Sequence, residues 1–250
     1  MDPNLNPFLR PRLRPKSVDR FFIRQSILDA VRRKRQFLKG TILDVGCGQM
    51  PYRSELTAPK GSAIRYIGLD FEVNPIHDNQ PDIVWKDGRI PLDEATVDSA
   101  ILTEVLEHCP DPDSILAEVF RVIKPGGILF LTVPYLWPLH EVPFDNYRYT
   151  PFALRRHLEK AGFDEVTLEA SGGWDASLAT MLGLWVRRSG LGRIARALLS
   201  IGLLPVYKWL IWRDRKRPVT EFKEGTMLTG LTGTAMKPVA QTRPHDGSGV

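Results

Sequence analysis

Cysteine is scarce: the 250 residues hold 2, Cys47 and Cys109, and they form no C-x-x-C pair. That argues against a disulfide scaffold and a cysteine zinc site, and fits a reducing, cytoplasmic setting. Long apolar runs are also missing. The longest, 197–212, has 16 residues and is interrupted by Pro205 and Lys208. A bilayer crossing takes ~20, so none is expected. The opening MDPNLNPFLRPRLRPK has no apolar segment, so no secretory signal is expected. What remains is ordinary globular material, 43% hydrophobic and 25% charged, which suits one domain with arms or an insertion.

Charge is unevenly spread. Residues 1–40 carry 11 Lys/Arg against 3 Asp/Glu, 41–170 carry 11 against 21, and 171–250 carry 12 against 5. An acidic middle between basic ends points to an anionic partner, membrane or nucleic acid. The plain alternative is that the ends neutralise the middle of the same molecule.

Residues 1–16, with four prolines, read as an extended arm. Apolar spacing through Ile23, Ile27, Ala30 and Val31 predicts a basic helix over 19–38, stopped by Gly40. Strand-like runs follow at 41–46, 65–70, 82–86, 97–103 and 128–134. A helix is expected over 113–124, capped by Asp113 and stopped by Pro125-Gly126-Gly127. Another is expected over 150–161, with Thr150 as cap, Pro151 in first position and Gly162 at its end. Alternating strands and helices predict a mostly parallel sheet covered on both faces. Strand patterns return at 165–170 and 226–237, separated by an apolar, basic stretch; 238–250 reads as a loose tail.

The informative segment is ILDVGCGQMPY, residues 42–52. A strand ending in Gly46-x-Gly48 brings a ligand close to bare backbone. Asp44 stands where a dinucleotide fingerprint has glycine, so a ligand with an ammonium group and no phosphate fits better. Asp70 ends the next strand, suited to two ribose hydroxyls, and Asp87-Gly88 follows the third, suited to an adenine edge. Each aspartate alone could be a turn former. Three at the ends of three successive strands are harder to explain that way.

The sequence resembles the class I S-adenosylmethionine-dependent methyltransferases, in the ubiquinone/menaquinone-biosynthesis-like (type 11) branch. The resemblance rests on LDVGCG (43–48), IGLD (67–70), KDGRIPLDEATVDSAILTEVLEHCPDP (86–112), EVFRVIKPGGILFLTVP (118–134) and LEKAGF (158–163). It implies a Rossmann-like α/β fold: a seven-stranded sheet, antiparallel in its last strand, with helices on both faces. It also implies S-adenosylmethionine as cofactor. Asp44, Gly46 and Gly48 would border its methionyl part, Asp70 its ribose, and Asp87 with Gly88 its adenine. Glu104 and His108 would lie beside it or floor the pocket. Met50 departs from a third glycine common in the family. The domain plan is then a basic arm and helix (1–40), a cofactor-binding core (41–170), a helical insertion (171–225), a last core strand (226–237) and a tail.

The acceptor side is expected in PYLWPLHEVPFDNYRYTP, 134–151. His140 is the candidate general base, because imidazole titrates near neutrality. Glu141 is expected to orient it or replace it. Arg148 and Tyr149 are expected at the acceptor, Arg148 on a phosphate or carboxylate. The plain alternative pairs Arg148 with Asp145 and packs Tyr149 inside. No two of the 5 histidines have metal-site spacing, so no metal is expected.

Residues 187–217 set Trp209 and Trp212 between arginine clusters, which suits an anionic membrane interface at the inner face. A lid or a dimer contact are the alternatives. The expected activity is O-methylation of a small-molecule, sugar or lipid-linked acceptor. The rivals are an RNA methyltransferase, disfavoured by the acidic core, and a binding module without turnover.

Overall fold

In a computed structural model, residues 6–71, 80–86 and 88–239 are described. The elements in chain order are α1 (Phe21–Lys34), β1 (Lys39–Val45), α2 (Arg53–Leu56), β2 (Ser62–Asp70), β3 (Ile83–Val84) and β4 (Val97–Thr103). A short 3-10 turn (Leu106–His108), α3 (Pro112–Val122), β5 (Ile123–Pro134), α4 (Pro151–Lys160) and β6 (Asp164–Ala170) follow. Then come α5 (Trp174–Arg188), α6 (Arg193–Arg215) and β7 (Gly230–Met236). They form one 7-stranded sheet in the order β3-β2-β1-β4-β5-β7-β6. β7 runs antiparallel between β5 and β6, and the other pairings are parallel.

Strand side chains alternate between faces, and the core divides accordingly. Leu43, Ala100, Leu102, Leu129 and Leu131 pack with Leu116 and Val119 of α3 and with Leu154 and Leu158 of α4. Their neighbours Ile42, Ile101 and Phe130 face the other way, onto Ile27, Leu28 and Val31 of α1. Both faces are covered, which is why these strands read as near-continuous apolar runs. The chain leaves β1 outward through β2 and β3, then returns to β4 on the other side of β1. The crevice above β1 and β4 is therefore the switch point where such sheets bind ligands.

Several local expectations need correction. α1 ends at Lys34, and Gly40 lies inside β1 with φ +62, where a Cβ would sit 2.3 Å from the Asp98 carboxylate. Asp111, not Asp113, caps α3, accepting from Ser114 N at 3.1 Å. Asp113 instead holds His157 and Lys160 of α4, at 2.6 Å each. Residues 125–127 lie in β5 rather than in a helix stop. Thr150 and Pro151 begin α4 as expected.

Two larger differences concern the ends. The N-terminal segment is not a free arm: Leu9 is buried against the α1 side of the sheet, and Val18 against α5 and α6. α6 is 23 residues long, because the helix continues through its basic flanks. At 1.5 Å per residue that is long enough to cross a bilayer, contrary to the run-length argument. It is nonetheless anchored to the domain. Asp214 accepts from Gly173 N at 2.9 Å and Ala176 N at 3.1 Å, supplying the N-cap that α5 lacks. Arg213 forms a two-point pair with Asp175, at 2.7 and 2.8 Å.

Part of the basic N-terminal charge pairs with acids of the core. Arg32, Arg35 and Lys60 surround the buried Glu55, and Arg33 and Lys34 pair with Glu169.

Candidate active site

The glycine turn leaves β1 with Gly46 at φ +69 and Gly48 at φ +46. A Cβ on Gly46 would meet Val105 at 2.6 Å, so the turn and the loop after β4 are in close contact. The Gly46 and Cys47 amides both donate to Leu69 O, and Gly48 N donates to Asp70 Oδ2 at 2.8 Å. Asp70 is thereby set beside the turn at the end of β2. Met50 keeps the left-handed backbone of the missing glycine, with φ +47. Its thioether covers Gly68, where a Cβ would lie 2.6 Å from Met50 Cε.

Asp44 is buried beneath this turn. Its Oδ2 accepts from the Tyr66 hydroxyl, and its Oδ1 has no hydrogen-bond partner among the described residues. Burial, with a contribution from Asp70, pushes its carboxyl up to about 7, against the Tyr66 hydrogen bond. A buried carboxylate with one unpartnered oxygen fits the ammonium of a bound methionyl group, which would supply the missing countercharge. Asp87 lies outside the described residues, and Gly88 has φ +72 with open space where its Cβ would be.

The loop after β4 carries Glu104, Glu107 and His108. Glu104, at φ +55, donates its amide to Thr132 O at 3.0 Å. Burial raises its carboxyl to about 7, opposed by the Thr132 hydroxyl and by Arg148. Glu107 is fully buried, and neither carboxylate oxygen has a hydrogen-bond partner among the described residues. Burial and Glu104 hold it well above the usual carboxylate range. His108 places Nδ1 3.2 Å from Phe144 O, and its Nε2 lies 3.8 Å from Glu107 Oε1.

The loop after β5 brings His140 to this point. The two imidazoles meet edge to face, with centroids 4.7 Å apart. His140 Nδ1 lies 3.3 Å from Asp145 Oδ2, and the His140 amide donates to the same oxygen at 3.2 Å. Arg148 clamps Asp145 at 2.6 and 2.8 Å, and its guanidinium holds that carboxyl down at about 2. Burial, then His108, lowers the His140 pKa, so its ring is neutral near pH 7.

The expected roles in this loop shift accordingly. Asp145, not Glu141, orients His140; Glu141 Oε2 lies 3.7 Å from His108 Nε2. Arg148 is engaged by Asp145 and by the Tyr147 carbonyl, so it serves the loop rather than an acceptor. Tyr149 is buried and donates to Leu106 O at 3.0 Å, fixing the 3-10 turn. Spacing along the chain gave no hint of a metal-ligand group, yet Glu107, His108 and His140 come together with ligand atoms within 4.8 Å of one another. The Arg148–Asp145 pair and the buried Tyr149 follow the plain alternative, and the missed residue is Glu107. The adjacent acid and imidazole in Glu107-His108 were the available signal, but only the return of 140–145 gives it meaning.

Fold and site define a class I methyltransferase architecture, with a glycine turn and acidic strand ends at the switch point. A methyltransferase-domain family matches residues 43–131. The chain is 31% identical over 140 residues to a probable S-adenosylmethionine-dependent methyltransferase of Mycolicibacterium smegmatis, covering 49% of this chain and 51% of that protein. It is 26% identical over 205 residues to an uncharacterized methyltransferase of Mycobacterium tuberculosis, covering 77% of this chain and 76% of that one. The match thus spans about half the length of the first relative. A Thermotoga maritima S-adenosylmethionine-dependent methyltransferase superimposes with TM-score 0.54 at 17% identity, over 88% of this chain and 91% of its own. The [4+2]-cyclase SpnF superimposes with TM-score 0.52 at 20% identity, over 88% and 84%. At such identities the fold is shared and the reaction is not thereby fixed. The chain is thus similar to S-adenosylmethionine-dependent methyltransferases, through a methyltransferase domain over residues 43–131.

Proposed function

We propose that the chain methylates a hydroxyl on an oxygen-rich small molecule, a sugar, a quinone-like ring or a lipid-linked precursor. S-adenosylmethionine, when bound, supplies a methyl group activated by the sulfonium. The chain's own work is to align an acceptor with it and to relieve the acceptor of its proton; alignment is worth up to ~7–11 kcal/mol. The observation that carries this reading is the Arg148–Asp145–His140 relay. It ties down His140 Nδ1 and leaves Nε2 of a neutral ring as the proton acceptor. An amine acceptor that arrives unprotonated would need no such group. Full turnover by His140→Ala with a hydroxyl acceptor would refute the assignment.

RNA is the weaker partner, since the cluster Arg32, Arg33, Lys34 and Arg35 is already paired with Glu55 and Glu169. The membrane reading has a specific observation behind it. On α5, Trp174, Leu178, Met181 and Trp185 form an exposed stripe at helical spacing. On α6, Ile194, Leu198, Ile201, Trp209 and Trp212 are exposed as well. Arg193, Arg215, Lys216 and Arg217 are exposed at the ends of α6. Aromatic and aliphatic side chains between exposed cations suit a helix pair lying in an anionic interface on the cytoplasmic side.

A further inference from the structure

The loops after β4 and β5 together hold a group of donors of which the proton relay uses His140 alone, leaving Glu107 and His108 without a role. The geometry points to a divalent transition-metal site formed by Glu107, His108 and His140 beside the cofactor turn. Three observations converge on it. One ligand atom from each residue lies within 4.8 Å of the other two. Ligands bound at 2.0–2.2 Å lie up to ~4.2 Å apart, so small side-chain rotations complete the cage.

Each imidazole is also prepared as a ligand. The Phe144 carbonyl can only accept, so His108 Nδ1 carries the proton and Nε2 presents a lone pair. The Asp145 carboxylate, clamped by Arg148, does the same for His140. A ligating histidine usually has its other ring nitrogen bound to a carbonyl or a carboxylate, and both partners occur here. Finally, Glu107 is fully buried with both oxygens unpartnered, and it faces His108 at 3.8 Å. A buried acid without hydrogen bonds is costly, and a cation would satisfy it.

Two imidazoles and a carboxylate favour Zn2+, Mn2+, Fe2+ or Co2+ over Mg2+ or Ca2+. Three protein ligands leave a position open for an outside oxygen, and Glu141, 3.7 Å from His108 Nε2, lies at the same rim. This deepens the hydroxyl-acceptor reading and rests on it for the cation's role. A cation held by these residues would polarise the acceptor hydroxyl, whose proton would leave to solvent as the oxygen takes the methyl group and the sulfonium departs as the thioether. With the cation bound, His140 Nε2 is a ligand and replaces its role as proton acceptor in the metal-free relay, and Asp145 with Arg148 are positioning residues.

The test uses the full chain, tag removed, stripped with a chelator, and titrated with Co2+ by absorption and calorimetry. S-adenosylmethionine binding is measured on the same metal-free sample. We expect one equivalent of Co2+ with visible d–d bands. His108→Ala and His140→Ala should each weaken it by about 100-fold. His157→Ala, which alters the Asp113 pair on α4, should leave it unchanged. Glu107→Gln, isosteric and neutral, should weaken it while cofactor binding persists. Absence of saturable Co2+ binding, or equal affinity in the histidine variants, overturns the site. Cofactor binding without Co2+ binding sinks this inference alone. Co2+ binding without methyl transfer to any hydroxyl sinks the acceptor reading and leaves the cation site standing.

Discussion

Asp145 Oδ2 lies 3.3 Å from His140 Nδ1 and receives the Arg148 guanidinium at 2.8 Å, so one buried carboxylate links a fixed cation to the imidazole at the cofactor crevice. Asp145→Asn keeps the volume and weakens both contacts. We expect kcat to fall by about 100-fold or more with little change in cofactor affinity. Steady-state kinetics beside calorimetric cofactor titration checks this; equal kcat would deny His140 its orienting partner.

The same pair sets an acid limit on stability. Arg148 lowers Asp145 from 3.8 to about 2, so its contribution is complete above pH 4 and is lost as pH falls through 2. Thermal melts from pH 7 to pH 2 should show wild type losing more stability than Asp145→Asn below pH 4. Breaking a buried pair by Arg148→Ala should cost about 3–5 kcal/mol at pH 7. Parallel melting curves for wild type and Asp145→Asn would contradict the account.

Asp44 behaves with the opposite sign. Burial raises it from 3.8 to about 7, so the folded protein holds a proton that the unfolded chain releases in that window. Stability should therefore decline as pH rises from 4 to 7, and Asp44→Asn should remove that decline. The ionised form is the one that meets an ammonium. Cofactor affinity should rise by roughly 5–10-fold from pH 6 to 7.5 in wild type and stay flat in the variant. A flat wild-type profile would place the cofactor's ammonium elsewhere.

How far these relationships were readable beforehand differs by element. The core was legible because its signals are local: LDVGCG turns sharply, Thr150-Pro151 starts a helix, and strands buried on both faces are apolar throughout. Asp113 misled because the acids Asp111 and Asp113 flank the first residue of α3, and Asp113 is instead taken up by His157 and Lys160. The N-terminal segment read as an arm because Leu9 and Val18 are isolated in a proline-rich stretch, and burial there depends on distant partners. Arg148 and Asp145 are three residues apart, and a loop charge pair looks the same in sequence as a free substrate contact. Glu107 and His140 are 33 positions apart, so their meeting depends on β4 and β5 being neighbours.

The membrane reading calls for variants that spare the fold. Tyr207, Leu210 and Ile211 are buried, so deleting 197–212 would remove core together with surface. Trp209 and Trp212 are exposed, and Trp209→Ser with Trp212→Ser leaves those contacts alone. We expect wild type to sediment with vesicles containing anionic lipid, less so in high salt, and the double variant to lose at least about 10-fold in partitioning. Equal sedimentation of the two would leave the α5–α6 face to another partner.

The most direct measurement supplies S-adenosylmethionine labelled in its methyl group to the purified chain, with separated polysaccharide, lipid, RNA and small-molecule fractions. Wild type, His140→Ala and Asp44→Asn are compared. The account predicts label in a hydroxyl-bearing sugar, lipid or small-molecule fraction as a methyl ether, greatly reduced in both variants. Label on RNA, label on nitrogen, or full transfer by His140→Ala would contradict it.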